Sequence, residues 1–197
     1  MGSSVVDLGP RLVVTVAAGT AAGRITGLPL RAPGAGARLG FVALAIVGGA
    51  GPVVALVLAS DTVPLRGEAV IPVAGIIVGG AMTATSLAGR RLREELERRR
   101  GEVEAALAIG LLSRDAVLLV VRAAATTALV PPLDQTRTVG LVTLPGAFVG
   151  VLLGGGTPLQ AGAAQLLVLV GLLAAEVLAV WLVTELVARG ALLEAPH

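Results

Sequence analysis

The sequence predicts an all-α fold, a polytopic membrane helix bundle of about five transmembrane helices with a cytoplasmic amphipathic region. Of its 197 residues, 55% are hydrophobic and only 14% are charged, whereas soluble domains carry about 25% charged residues. The charges are also segregated, because residues 39–60, 69–89 and 138–175 contain none. A run of about 20 apolar residues crosses a bilayer core, so several stretches of this chain are expected to lie in lipid.

Five candidate spans follow from this segregation, and they form a single transmembrane domain over residues 1–197. The spans are residues 8–27, 39–60, 69–89, 138–155 and 161–184. Cytoplasmic loops of membrane proteins carry the excess of arginine and lysine. The arginines therefore predict a multi-pass protein of the cell (plasma or inner) membrane, with its N-terminus outside and its C-terminus in the cytoplasm.

The interval at residues 90–133 is predicted to be cytoplasmic. Residues 89–104 read GRRLREELERRRGEVE, with opposite charges three and four residues apart, which suits a solvated helix. A second helix is expected after Ser113, the predicted N-cap. Asp115, Arg122 and Thr126 recur on one helical stripe, which indicates an amphipathic helix at a membrane surface or against a partner.

Several residue types are missing, and their absence excludes classes of protein. All 15 basic residues are arginine, whereas a Walker A loop needs a lysine to reach the nucleotide phosphates. The chain has no cysteine and its one histidine is His197, so thiolate sites and a Ser–His–Asp triad are excluded. We therefore expect no enzymatic activity and no bound cofactor on this chain. Aromatic residues make up 2%, which argues against stacking on nucleic acid.

One short motif indicates a mechanical role for the charged interval. The triplet Glu-Ala-Ala at 104–106 is followed by Gly110, a spacing that resembles the cytoplasmic coupling loop of importer-type ABC permeases. In such a loop, a short helix, a glycine turn and a second helix rest in a groove of the ATPase. The residues that we assign to ATPase coupling are Glu104, Ala105, Gly110, Asp115 and Arg122.

Two longer stretches, residues 70–82 (VIPVAGIIVGGAM) and 134–146 (DQTRTVGLVTLPG), resemble the FetB-type permease family of ABC transporters. That family comprises bacterial iron-export permeases and plant relatives linked to aluminium tolerance and sugar-nucleotide transport. The resemblance implies a homodimeric transport subunit for metal (iron) export, driven by a separate ATPase subunit that binds the ATP. Family members usually have further hydrophobic helices upstream, so the chain is expected to lack N-terminal helices.

The chain departs from the family pattern at two places that bear on the substrate. Gly80 stands where the family usually has asparagine, and Ala147-Phe148 stand where it usually has two methionines. These polar and sulfur groups are therefore lost, and the sequence defines no metal ligands. If a metal ion passes, its ligands must be oxygens, because thiolates are absent and the only imidazole is at the C-terminus.

Small residues four apart mark surfaces where helices approach closely in lipid. Prolines inside a span can also bend it and free backbone carbonyls to line a cavity. We expect helix packing or dimerisation at these positions more than the lining of a pathway. The predicted packing or pathway positions are Pro72, Gly75, Gly79, Gly140, Pro145, Gly146 and Gly150.

Two acidic residues in or near the spans are candidate polar sites. Glu176 lies near the middle of a predicted span, where ionisable groups are functional candidates, but a hydrogen bond to a threonine or glutamine of a neighbouring helix would also explain it. Asp134 lies at the inner mouth of another span, where a salt bridge with Arg137 or Arg122 is favoured. Two rival functions stay open: a secondary transporter or channel without an ATPase, which would use Glu176, and a membrane scaffold.

Overall fold

The computed structural model describes residues 35–60, 67–138 and 146–190, and every regular element within them is an α-helix. The helices are α1 (Ala35–Ala59), α2 (Gly67–Arg98), α3 (Arg100–Ala108), α4 (Ser113–Thr127), α5 (Val130–Thr138), α6 (Gly146–Leu153) and α7 (Pro158–Ala188). The predicted all-α fold is confirmed.

Four stretches of helix are long and apolar enough to cross a bilayer. They are Gly40–Ala59, Val70–Arg98, Ser113–Thr136 and Pro158–Ala188. The 31 residues of α7 extend about 46 Å at 1.5 Å per residue, which exceeds the ~30 Å of a hydrocarbon core. The chain is therefore a polytopic helical membrane protein, as its composition predicts.

The predicted spans agree with these helices in three places. Residues 39–60 correspond to α1, residues 69–89 to the first two thirds of α2, and residues 161–184 lie inside α7. The predicted span at 8–27 lies outside the described residues. For the predicted span at 138–155, the structure describes the end of α5, the eight-residue helix α6 and the turn after it.

The charged interval is built differently from the predicted surface region. α2 continues without interruption from its apolar part through Arg98, and residues 113–136 are apolar enough to count as a fourth candidate crossing. The candidate crossing at residues 113–136 is not evident in the sequence because Asp115 and Arg122 interrupt its apolar residues. In the structure, α4 places those apolar residues on one buried face. The placement of residues 90–133 relative to the membrane stays a prediction.

Two local expectations about helix ends are wrong. The N-cap of α4 is Leu112, in extended conformation and without a side-chain hydrogen bond, so Ser113 is the first helical residue and not the cap. The predicted span at 69–89 places Pro72 in the first turn of its helix, where proline is tolerated. Because α2 begins at Gly67, Pro72 instead lies inside the helix.

Helix α7 is the centre of the bundle, and α1, α2, α4, α5 and α6 all pack against it. Its start is fixed by a capping box between Thr157 and Gln160, with Pro158 in the first turn. The backbones of α1 and α7 approach closely at Gly49, where an added Cβ would lie 2.9 Å from the backbone nitrogen of Ala179. The helix seam, where α1 and α2 pack against α7, is therefore built on small residues.

Candidate functional site

The charged segment, residues 90–115, comprises the end of α2, all of α3 and the start of α4. After α3 ends at Ala108, Gly110 adopts a left-handed conformation with φ of 91°, which glycine tolerates without strain. The Gly110 N–H donates to the Leu107 carbonyl at 2.9 Å and the Leu111 N–H to the Ala106 carbonyl at 3.1 Å. The structure thus contains the short helix, glycine turn and second helix that the motif at 104–110 predicts.

The hairpin tip, residues 109–112, presents apolar side chains among these charges. Ile109 is 78% exposed and Leu112 is 73% exposed. Within the triplet at 104–106, the coupling residues Glu104 and Ala105 are exposed, whereas Ala106, which is not assigned to coupling, is buried. Sequence reasoning overlooked Ile109 and Leu112, although two aliphatic residues flanking a glycine turn between charged helices are the signal that could have found them.

Ion pairs within single helices account for most of the charges in this segment. Arg93 and Glu97 are 2.6 Å apart, and Arg100 and Glu104 are 2.8 Å apart. Glu102 pairs with Arg99, whose guanidinium donates to both carboxylate oxygens and holds the pKa of that carboxyl below its ordinary value. These pairs confirm the solvated-helix pattern of opposite charges.

One ion pair joins the charged segment to the centre of the bundle. Arg114 at the start of α4 donates from Nε and Nη2 to the two carboxylate oxygens of Glu185, at 2.8 and 2.9 Å. Arg189 donates to the same carboxylate at 2.7 Å. The start of α4 and the end of α7 therefore lie at the same end of the bundle. Neither Arg114 nor Glu185 was singled out from the sequence, because residues 71 positions apart show no periodic relation.

The amphipathic character of α4 is as predicted. Asp115, Arg122 and Thr126 are all exposed, whereas the opposite face of the helix is buried against α2 and α7. Asp134 is also exposed, and within the part of the chain that the structure describes it forms no salt bridge with Arg122. The side chain of Arg137, the other expected partner of Asp134, lies outside that part.

A second candidate site lies in the interior of the bundle, at Glu176. This side chain is 4% exposed, and its Oε2 atom has no hydrogen-bond partner. Gly80 of α2 faces it, because a Cβ added there would lie 2.8 Å from Glu176 Oε1. A hydrogen bond from a threonine or glutamine to Oε2, which the sequence left open, is not formed.

Two further buried polar atoms lack a partner in the described residues. They are Thr85 Oγ1 on α2 and Gln165 Oε1 on α7, so all three orphaned side-chain atoms belong to these two helices. No group of three or more histidine, cysteine, aspartate or glutamate side chains in the described ranges could hold a metal ion. The interior therefore offers isolated polar groups and not a ready set of metal ligands.

The glycines predicted to mediate packing are not those that do so within this chain. A Cβ added at Gly75, Gly79, Gly146 or Gly150 would meet no atom within 4 Å. Pro72 is exposed, and Gly140 and Pro145 lie outside the described residues. Gly75 and Gly79 therefore make no close helix contact inside the described chain, because they face away from the helix seam, and their role in packing or dimerisation stays a prediction.

Close contacts occur instead at glycines of α1, α2 and α7. A Cβ at Gly48 would lie 2.9 Å from Leu182, and one at Gly171 would lie 3.2 Å from both Val53 and Val57. The pair Ala175 and Ala179, four residues apart on α7, receives Gly49. That small-x-x-x-small spacing on α7 is the signal that sequence reasoning passed over.

Comparison with known proteins places the chain in a family. A family model described as "Uncharacterised protein family (UPF0014)" matches residues 9–192. The chain belongs to the UPF0014 family. The resemblance drawn from residues 70–82 and 134–146 is thereby confirmed, because the relatives include a bacterial protein named as a probable iron export permease.

Three relatives indicate the range of the family. The chain is 41% identical over 129 residues to "UPF0014 membrane protein STAR2" of Oryza sativa, which covers 66% of this chain and 45% of that protein. It is 38% identical over 126 residues to "Protein ALUMINUM SENSITIVE 3" of Arabidopsis thaliana, covering 64% and 46%. It is 33% identical over 125 residues to "Probable iron export permease protein FetB" of Escherichia coli, covering 64% and 48%.

The matched segment spans less than half the length of each of these relatives. No solved structure matches the chain. Of these three relatives, one is named as a membrane protein and one as a probable permease.

Proposed function

We propose that the chain is the membrane-spanning permease subunit of an ABC transporter that exports a metal ion, with iron as its substrate. Two copies would form the pathway between them, and two separate ATPase subunits would bind the ATP. The named activity of the Escherichia coli relative supports the substrate. The protein would lie in the cell membrane with its charged segment and C-terminus in the cytoplasm.

The hairpin tip is the observation that carries this proposal. Ile109 and Leu112 are exposed at the end of the molecule where the arginines are concentrated. Aliphatic side chains exposed beyond the apolar spans indicate a surface that a protein partner covers. A helix followed by a tight glycine turn and a second helix projects these two side chains as one compact knob, which suits the groove of an ATPase subunit.

The bidentate Arg114–Glu185 pair supplies a route from this knob to the bundle. An ATPase that closes on ATP would push the hairpin tip, and the ion pair would carry the displacement to the end of α7. Rigid helices and ion-pair contacts of this kind transmit movement between sites. The mechanism is alternating access, with α1, α2 and α7 rocking relative to the second copy.

The test is to express the chain with an ABC ATPase subunit from the same genome and to measure co-purification and ATP hydrolysis in proteoliposomes. We expect Ile109→Ser with Leu112→Ser to abolish both. The matched control is Leu153→Ser with Leu159→Ser, since both leucines are 84% exposed and flank the start of α7, away from Arg114. Normal hydrolysis by the tip variant, with the same ATPase bound, would overturn the coupling role.

The substrate is tested in the same vesicles with Fe²⁺ as the probe. We expect ATP-dependent movement of Fe²⁺ that requires both subunits. The buried, unpaired Glu176 favours one alternative, an ATPase-independent cation transporter. Movement of Fe²⁺ by vesicles that hold this chain alone would establish that alternative in place of the ABC mechanism.

A further inference from the structure

Glu176 occupies a position where an ionised carboxylate is unfavourable. It is buried on α7, the most apolar of the four candidate spans, with a mean hydropathy of 2.7. Within the described residues Oε2 accepts no hydrogen bond, and burying a carboxylate without a partner is unfavourable because the ion loses its hydration. The side chain must therefore gain a partner or lose its charge.

The helix opposite makes room for this carboxyl group and supplies no charge. Gly80 leaves α2 without a side chain where Glu176 approaches, since a Cβ there would lie 2.8 Å from Oε1 and would also overlap Leu172. On α2, residues 70–89 contain no titratable group. The nearest ones along α2 are Arg90, ten residues after Gly80, and Glu68, twelve residues before it, which is about 15 Å and about 18 Å along a helix.

The other elements packed against α7 supply no neutralising charge either. The described parts of α1 (residues 40–59) and α6 contain no titratable residue. On α7 the next charge is Glu185, nine residues and about 13 Å further along the helix, and it pairs with Arg114 of α4. The remaining charged side chains of α4 and α5 that the structure describes, Asp115, Arg122 and Asp134, are exposed.

A divalent metal ion does not fit this position. Such an ion takes several oxygen ligands, six or more for Ca²⁺, and the described residues contain no cluster of three or more acidic or histidine side chains. A proton needs a single carboxylate oxygen and cancels the charge completely. It also turns one carboxylate oxygen into a hydrogen-bond donor.

We propose that Glu176 is a proton-binding site inside the membrane domain. In the packed arrangement of α2 against α7 its carboxyl group is protonated, and the proton passes to water when the two helices separate and water reaches the carboxyl group. In this proton transfer one O–H bond of Glu176 is broken and one O–H bond is formed on a water molecule. The ligand is a proton, and the two states are a closed neutral seam and an open ionised one.

Infrared spectroscopy of the purified full-length chain in lipid tests the first state without any partner protein. A protonated carboxylic acid has a C=O stretching band that a carboxylate lacks. We expect this band at neutral pH, its loss in Glu176→Gln, and its retention in the matched variant Glu185→Gln, whose carboxylate is held ionised by two arginines. Absence of the band at neutral pH in a folded wild-type chain would overturn the proposal, as would its persistence in Glu176→Gln.

A second variant separates protonation from folding. Gly80→Ala places a methyl group against the carboxyl group, so we expect the band to shift in frequency while the helical circular dichroism stays unchanged. Gly79→Ala, one residue away and with open space around its Cβ, should leave the band in place. An equal response of the two variants would show that the carboxyl group does not contact α2 and would contradict the proposal.

The second state is tested by the dependence of activity on pH, and this readout rests on the proposed function. In vesicles with the ATPase, we expect the wild-type rate to change with pH and the rate of Glu176→Gln to lose that dependence. An unchanged profile in Glu176→Gln would refute proton release during the cycle. Failure of the ATPase to bind would instead refute the proposed function and would leave the infrared result standing.

Discussion

The charged segment and the helix seam differ in the pairing and exposure of their ionisable groups. In the charged segment, arginines and glutamates pair three or four residues apart, and most of their side chains stay exposed. In the helix seam there is one carboxylate, Glu176, which is buried and has an oxygen without a partner. The charges of the charged segment are therefore mostly compensated by ion pairs, whereas the carboxylate of Glu176 is not.

The exposed ion pairs and the buried carboxyl group therefore have different roles, the former in solubility and the latter in function. Exposed pairs contribute about 0–1 kcal/mol each because water and salt screen them, so the arginine-rich sequence contributes little to stability and mainly presents a surface. A buried carboxyl group without a partner is costly and is kept in a membrane span when it has a role. The number of charges in a region is thus a poor guide to where the chemistry occurs.

The largest expected effect is on the small-residue contact in the helix seam. In Gly49→Ala the new Cβ would lie 2.9 to 3.0 Å from backbone atoms of Ala175 and Ala179, which cannot move aside as a flexible side chain can. Overpacking of this kind destabilises by about 1–3 kcal/mol. The free energy of unfolding, measured by denaturation in micelles, would show it.

The control for that measurement is Gly51→Ala on the same helix. The nearest atom to its Cβ would be Val47 Cγ1 at 3.8 Å, an ordinary contact, and alanine favours a helix by roughly 0.5–1 kcal/mol over glycine. We expect this variant to be as stable as the wild type or more stable. Equal losses in both variants would show that α1 does not pack on α7 through Gly49.

A smaller effect is expected at the junction of the two regions. Arg114→Gln removes the bidentate contact with Glu185, the one side-chain ion pair in the described residues that joins distant parts of the chain. We expect a lower melting temperature and faster hydrogen exchange in the first turn of α4. Arg91→Gln, which breaks a pair within a single helix, should leave exchange in α4 unchanged. If the two variants exchange alike, the junction does not hold α4 to α7.

The smallest effect is expected within the charged segment itself. Glu97→Gln removes the pair with Arg93 at 2.6 Å, in which the glutamate is exposed and screened. The free energy of unfolding should change by no more than about 0.5 kcal/mol, the usual value of an i,i+4 pair on a helix. A loss comparable to that of Gly49→Ala would mean that the charged segment stabilises the bundle, and the contrast between the regions would fail.

The general architecture could be predicted because lipid imposes a strong pattern. Long apolar runs and their arginine-rich flanks locate α1, α7 and the start of α2 to within a few residues, and the triplet before Gly110 predicts the turn after α3. The amphipathic stripe of Asp115, Arg122 and Thr126 predicts the exposed face of α4. In each case the signal is local, because helix periodicity and turn chemistry depend on neighbouring residues.

Contacts between distant residues could not be predicted in this way. Gly75 and Gly79 have the spacing of a packing motif, yet the structure uses Gly80 and Gly49, since the rotation of a helix decides which of its glycines face a neighbour. The Arg114–Glu185 pair has no sequence signal at all. Glu176 was visible as an acid in an apolar run, but its missing partner appears only when α2 is set beside it.

The continuity of α2 has a consequence for how the protein can work. One unbroken helix of 32 residues runs from apolar sequence to the arginine cluster, a length of about 48 Å. Beyond Pro72 no proline interrupts this helix, so a tilt imposed at its charged end appears at its apolar end, with opposite direction about any pivot between them. The uncharged residues 73–89 and the nine residues 90–98 then act as the two arms of one lever.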